Sequence, residues 1–176
     1  MTANSTTNFN GLAMTSVSYP AIRISYRSNT GFDETRFRFD REVPLLDPSV
    51  TKDLVRRGAS WSEVNDVVNE TAGPTGFVTI SRIDQGSLFR LSGEALSATL
   101  YLIGNPIIAR RVAALDVAAT LYAPFRVVVY ENAAGVYVAY DEPSSVFRSL
   151  GSSGIDGIAL ELSQRIKSSV ETSCMY

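Results

Sequence analysis

The alternation of apolar and polar positions lays out most of the chain. Ala21-Ile22-Arg23-Ile24-Ser25-Tyr26-Arg27 has the two-residue period of a half-buried strand, and Ser28-Asn29-Thr30-Gly31 ends it. Phe37-Arg38-Phe39 has the same period and reads as a second short strand or a docking segment. Asp47-Pro48 signals a helix start, with Asp47 as N-cap and Pro48 in the first helical position; that helix runs to about Arg57 and meets Gly58. Ser60-Trp61-Ser62-Glu63 then matches a capping box, with Trp61, Val64, Val67 and Val68 at helical spacing behind it. The two segments are either two helices or one kinked helix.

Ala72-Gly73-Pro74-Thr75-Gly76 breaks the chain. Phe77–Asp84 reads as a strand that Leu88–Leu91 extends past Gln85-Gly86, and Ala98–Ile103 as the next strand. Asn105 caps a short helix with Pro106 in its first position and Ala109, Val112, Ala113 and Leu115 on its buried side. Phe125–Glu131 and Val136–Asp141 form a hairpin around Asn132-Ala133-Ala134-Gly135. A last helix starts near Ile155, with Ile155, Ile158, Ala159, Leu162, Ile166 and Val170 in one stripe. Strand, helix, several strands, helix, with few long crossovers, predicts an α+β fold on a mostly antiparallel sheet. The expected organisation is a flexible N-terminal segment over 1–18, a single α+β domain over 19–172 and a flexible tail over 173–176.

Composition narrows the chemistry. The 176 residues carry a net charge of -2, so the basic footprint of a nucleic-acid binder is missing and no nucleic-acid partner is expected. The chain has no histidine, the commonest general base and metal ligand. Its one cysteine, Cys174, reads as a spare thiol on a frayed tail. No transition metal and no cofactor are therefore expected, although carboxylates alone could hold Mg²⁺ or Ca²⁺. Lys52 and Lys167 are the only lysines, which leaves little room for Schiff-base chemistry. Neither a signal peptide nor a membrane-length apolar run is visible, so a cytoplasmic protein without a membrane partner is expected.

Leu102-Ile103-Gly104-Asn105-Pro106, Ala109, Asp116, Leu121-Tyr122-Ala123-Pro124, Val127-Val128-Val129-Tyr130-Glu131, Gly135, Tyr140-Asp141-Glu142-Pro143 and, upstream, Ile83-Asp84 form a set of spaced motifs. Together they resemble the domain of unknown function family 302. The match spans about Ala21–Val170. The insertion around Phe37–Trp61 departs from the compact bacterial pattern and is more similar to fungal members. The resemblance implies a TATA-binding-protein-like fold: a curved antiparallel sheet of β-α-β(4)-α order with helices on one face. It implies no reaction, and the motif residues are of structural types.

Candidate chemistry comes from the hairpin. With Glu131 opposite Val136, the pairs run Tyr130–Tyr137, Val129–Val138, Val128–Ala139, Val127–Tyr140 and Arg126–Asp141. Alternation then puts Phe125, Val127, Val129, Val136, Val138 and Tyr140 on the core face, and Arg126, Val128, Tyr130, Tyr137, Ala139 and Asp141 on the other. That second face has three readings: a solvated face with a cross-strand ion pair, a dimer contact, or a pocket floor. In a pocket, Arg126 would bind an anion or enolate, Asp141 would act as base and Tyr130 would donate a proton, with Tyr137 contacting the ligand. Tyr101, Asp84 and Asn105 complete the candidate ligand contacts. Asp84 has turn capping as its plainer use, and Asn105 simple helix capping. Arg56-Arg57 and Arg110-Arg111 read as solvated helix faces, and Gly151-Ser152-Ser153-Gly154 as a joint without the lysine of a phosphate loop. Two functions stay open. One is a cofactor-free acid–base enzyme of isomerase, cyclase or lyase type acting on a small organic molecule. The other is a non-catalytic module that binds such a ligand or forms a homodimer.

Overall fold

The computed structural model describes residues 3–94 and 96–175. Strands β1 (Ala3–Phe9) and β2 (Leu12–Ser18) make a two-stranded hairpin separate from the main sheet. Composition predicts a flexible segment here, but Asn10-Gly11 supplies the positive φ angles, 49° and 81°, that a tight two-residue hairpin turn needs. Every side chain of β2 is exposed.

The main sheet has five antiparallel strands in the order β3-β7-β6-β5-β4: β3 (Arg23–Arg27), β4 (Val78–Asp84), β5 (Ser97–Gly104), β6 (Phe125–Asn132) and β7 (Gly135–Asp141). Helices α1 (Phe32–Glu42), α2 (Pro48–Arg56) and α3 (Trp61–Thr71) lie between β3 and β4. Short helices α4 (Gln85–Phe89), α5 (Pro106–Ala113) and α6 (Pro143–Phe147) link later strands, a 3-10 turn spans Val117–Tyr122, and α7 (Ser153–Met175) closes the chain. The five-stranded body thus has the expected β-α-β(4)-α order and α+β class.

The caps form as the sequence predicts. The Asp47 side chain accepts from Ser49 N at 2.8 Å, and Ser60 and Glu63 cap each other reciprocally, so α2 and α3 are two helices. Asn105 accepts from the N–H groups of Ile107 and Ile108. The stripe on α7 also holds: Ile155, Ala159, Leu162, Ile166 and Val170 are buried against the sheet's apolar face.

Other expectations are corrected. Phe37-Arg38-Phe39 lies within α1, not in a strand. Thr35, Phe39 and Val43 sit at four-residue spacing on the inner side, whereas Phe37 is 58% exposed. Ion pairs Arg36–Asp33 and Arg38–Glu34 brace that helix. Leu88–Leu91 does not extend β4, because Asp84 caps α4 and turns the chain. Leu115 lies past the end of α5 and is 54% exposed; Ile108 takes the buried position instead. The hairpin turn is one residue pair tighter than drawn, since Asn132 pairs with Gly135. Finally, α7 runs through 173–175, so that part of the expected tail is helical. Cys174 continues the stripe one turn beyond Val170 and is 3% exposed. Tyr176 lies outside the described residues.

The core fills the space between the sheet and the helices α1 and α7, with Phe39, Tyr101, Val127, Val129, Ile155 and Ile166 fully enclosed. Among the described residues no helix is long and apolar enough to cross a membrane, and no group of acidic or cysteine side chains gathers as a metal site.

Candidate functional site

The β6–β7 register is the one that alternation implies: Val127 opposite Tyr140, Val128 opposite Ala139, Val129 opposite Val138 and Tyr130 opposite Tyr137. Phe125, Val127, Val129, Val136, Val138 and Tyr140 are buried in the core, so Arg126, Val128, Tyr130, Tyr137, Ala139 and Asp141 share the opposite face. β3 pairs with β7 through Arg23–Asp141, Ser25–Ala139 and Arg27–Tyr137, which adds Arg23, Ser25 and Arg27 to that face. On the other flank, Leu100 of β5 lies opposite Val128. The open face is therefore an apolar floor of Leu100, Val128 and Ala139 rimmed by arginines and tyrosines.

Two adjoining hollows occupy it. One, of about 460 Å³, lies over the strand centres and reaches from Arg23 and Asp141 to Gln85 and Tyr130. The other, of about 690 Å³, runs toward Tyr19, Leu121 and Tyr122. Arg126 and Asp141 line both, so the hollows form one groove with this pair of residues at its waist.

The Asp141 carboxylate does not pair with Arg126. It accepts two hydrogen bonds from the Arg23 guanidinium, Nε to Oδ1 at 2.8 Å and Nη2 to Oδ2 at 3.2 Å. This fork geometry orients the carboxylate and, through the hydrogen bond first and the charge second, raises the Arg23 pKa. Arg126 is exposed and has no ion-pair partner among the described residues, so its charge is available to an incoming anion. Tyr130 and Tyr137 stack with centroids 5.5 Å apart and planes 18° from parallel, an offset face-to-face pair. At the other end, Tyr19 meets Tyr122 edge to face at 6.2 Å, and the Tyr122 hydroxyl bonds Ser149 at 2.6 Å. The Tyr122 side chain, then partial desolvation, raises the Tyr19 phenol above its ordinary value, and the charges of Asp141 and Arg126 both act on it.

Of the residues singled out from the sequence, Asp141, Arg126, Tyr130 and Tyr137 come together on this face. Tyr101, Asp84 and Asn105 do not join them. Tyr101 has the parity of the packed face, is fully buried and packs on Phe39 at 4.8 Å; burial first, and Asp40 second, push its phenol up to about 12. Asp84 spends its carboxylate on Ser87 as the cap of α4, and the Ser87 hydrogen bonds lower its pKa. Asn105 uses its oxygen on the α5 cap and its amide on the Gly76 carbonyl at 2.8 Å.

Sequence reasoning missed Arg23, the actual partner of Asp141, and Tyr19 and Tyr122 at the groove's end. The alternation of 21–27 does put Arg23 on a polar strand face. Its pairing across 118 residues leaves no local signal.

Comparison with known proteins agrees with this architecture. No curated protein matches the chain. The structure is similar to the crystal structure of the uncharacterized conserved protein DUF302 from Bacillus stearothermophilus, with a TM-score of 0.61 at 15% identity, over 86% of this chain and 97% of that one. At that identity the likeness speaks to the fold. The family model described as Domain of unknown function DUF302 matches residues 54–173, from the end of α2 through nearly all of α7, and the chain belongs to that family.

Proposed function

We propose that this protein acts on a small, planar organic anion seated in the groove of its open sheet face. The observation that carries this reading is Arg126, without an ion-pair partner among the described residues, on a floor of Leu100 and Val128 beside the stacked Tyr130 and Tyr137. A guanidinium recognises a carboxylate or enolate, and the Tyr130 ring, held by its stacking on Tyr137, offers an aromatic contact to a flat ring or conjugated system. Asp141, oriented by Arg23, is the carboxylate that lines the groove and takes the role of base. A groove tyrosine, Tyr130 or Tyr19, returns the proton. Without histidine, such carboxylate–phenol chemistry is what the chain has for moving protons, which fits an isomerase, cyclase or lyase type of reaction without a cofactor.

Phenylpyruvate tests both levels because it combines a carboxylate, a ring and an enolisable C–H bond. Amide and arginine side-chain NMR should locate it at Arg126, Val128 and Tyr130, and Arg126→Met should weaken binding at least tenfold. Exchange of its C3 protons in D2O should be faster with protein than without, and Asp141→Asn should remove that acceleration while binding persists. Binding without accelerated exchange would leave a ligand-binding module; binding indifferent to Arg126→Met would overturn the proposal.

A further inference from the structure

A second cavity of about 220 Å³ lies behind the groove, on the far side of the Ala123–Phe125 segment that lines both. Its floor is Phe125, Phe147 and Leu162, each less than a tenth exposed. Ile108 and Val112 on the inner side of α5 form one wall. At the β-bulge between Thr79 and Ser81, Ile80 is 37% exposed and lines the same cavity as Pro124 and the α5 residues. The one polar side chain in the lining is Asn105, and both ends of its amide are already bonded within the protein.

Protein interiors leave few voids larger than a water molecule. A void with no unspent polar partner does not hold ordered water, and an engineered apolar cavity of about 150 Å³ stays dry and takes up benzene. The pocket here is somewhat larger and, apart from Asn105, has only apolar side chains in its lining, but it is open to solvent on one side, so a ligand can enter without the protein unfolding. That opening has a rim of small and half-exposed side chains, Ala109 and Ile80 among them.

We infer that the cavity is a binding site for a neutral, apolar molecule of one to two rings. Size sets the upper limit and the spent amide of Asn105 sets the polarity. A charged group is excluded because nothing in the lining would replace its water. The inference is independent of the groove's chemistry: although Ala123–Phe125 borders both, Arg126, Tyr130 and Asp141 take no part in it, and it would stand if the groove bound nothing.

Methyl-labelled protein titrated with toluene gives the test. Shifts should be confined to Ile80, Ile108, Val112 and Leu162. 4-Methylbenzoate, the same ring with a charge, should bind these positions at least tenfold more weakly. Ala109→Phe places a ring at the rim on the outer part of α5 and should weaken toluene binding at least tenfold with the fold intact by amide NMR. Ile80→Trp, from β4, should do the same and serves if the helix variant misfolds. No shift of these methyls at saturating toluene, equal binding of the charged analogue, or wild-type affinity in a folded rim variant would each overturn the inference.

Discussion

The two faces of the main sheet are built from the same strands and differ by one residue in register. Val127 and Val129 are fully buried, while Arg126, Val128 and Tyr130, which alternate with them, look the other way. Helices α1 and α7 cover the first face; on the second, Arg126, Arg23, Ser25 and Arg27 stay exposed. The packed face contributes through apolar area removed from water and close contact, so its value lies in stability. The open face keeps charges and phenols in partial contact with solvent, where they add little to stability and remain available to a ligand. Position in the alternation thus separates the residues that hold the fold from the residues left exposed on the candidate site.

The comparison breaks first where packing is densest. Ile166→Ala, at a fully buried site of α7, should cost ~2–5 kcal/mol of unfolding free energy in urea titrations. A loss below ~0.5 kcal/mol, the level of ordinary surface changes, would mean that α7 does not carry the packed face.

A smaller effect comes from ionisable groups sealed on that same face. Burial pushes the Cys174 thiol up to about 11 from 9.0, and the Tyr101 phenol up to about 12 from 10.0. Below pH 9 both groups hold their protons in the folded and unfolded chain alike, so their contribution is fully present. As pH rises from 9 toward 12 the unfolded chain releases these protons while the folded protein retains them, and stability falls. Each group should account for roughly 2 kcal/mol by the top of its window. Unfolding free energies measured between pH 8 and pH 11 should decline, and Tyr101→Phe and Cys174→Ala should each flatten part of that slope. Native Cys174 should also resist Ellman's reagent until the protein is unfolded; rapid reaction at neutral pH would contradict its burial.

On the open face the effects shrink. Arg23 is 72% exposed and Asp141 28%, so a double-mutant cycle of Arg23→Met and Asp141→Asn should give a coupling of ~0–1 kcal/mol that fades in high salt. Coupling of ~3 kcal/mol or more would indicate a pair sealed from water, as in a subunit contact. Arg126→Met should change stability by less than ~0.5 kcal/mol, even though it is expected to abolish most ligand binding.

How far the sequence reaches follows the same division. The β6–β7 register was legible because a two-residue period and a short loop leave one arrangement that buries the valines. The caps at Asp47, Ser60 and Asn105 were legible because each is a contact between residues two or three positions apart. In α1 the local signal misled: Phe37-Arg38-Phe39 alternates like a strand, and the four-residue series Thr35, Phe39, Val43 has weight only once the sheet is there to cover it. Of the candidate groove, Arg126, Tyr130 and Asp141 were visible, with Tyr137 stacked beside Tyr130; the assignments of Tyr101, Asp84 and Asn105 fell to packing and capping.

By itself the sequence determined the local elements: the strand periods, the helix caps, the hairpin and the apolar stripe of α7. These depend on steric and hydrogen-bonding preferences over a few residues. Only the tertiary structure decided that β3 flanks β7, and so that Arg23 rather than Arg126 holds Asp141. It alone also decided that Cys174 is sealed in the core and that Ile80 and α5 border one apolar pocket. Those outcomes depend on which distant segments close on one another to bury the most apolar surface, a choice in which the loop entropy and the packing of the whole chain compete.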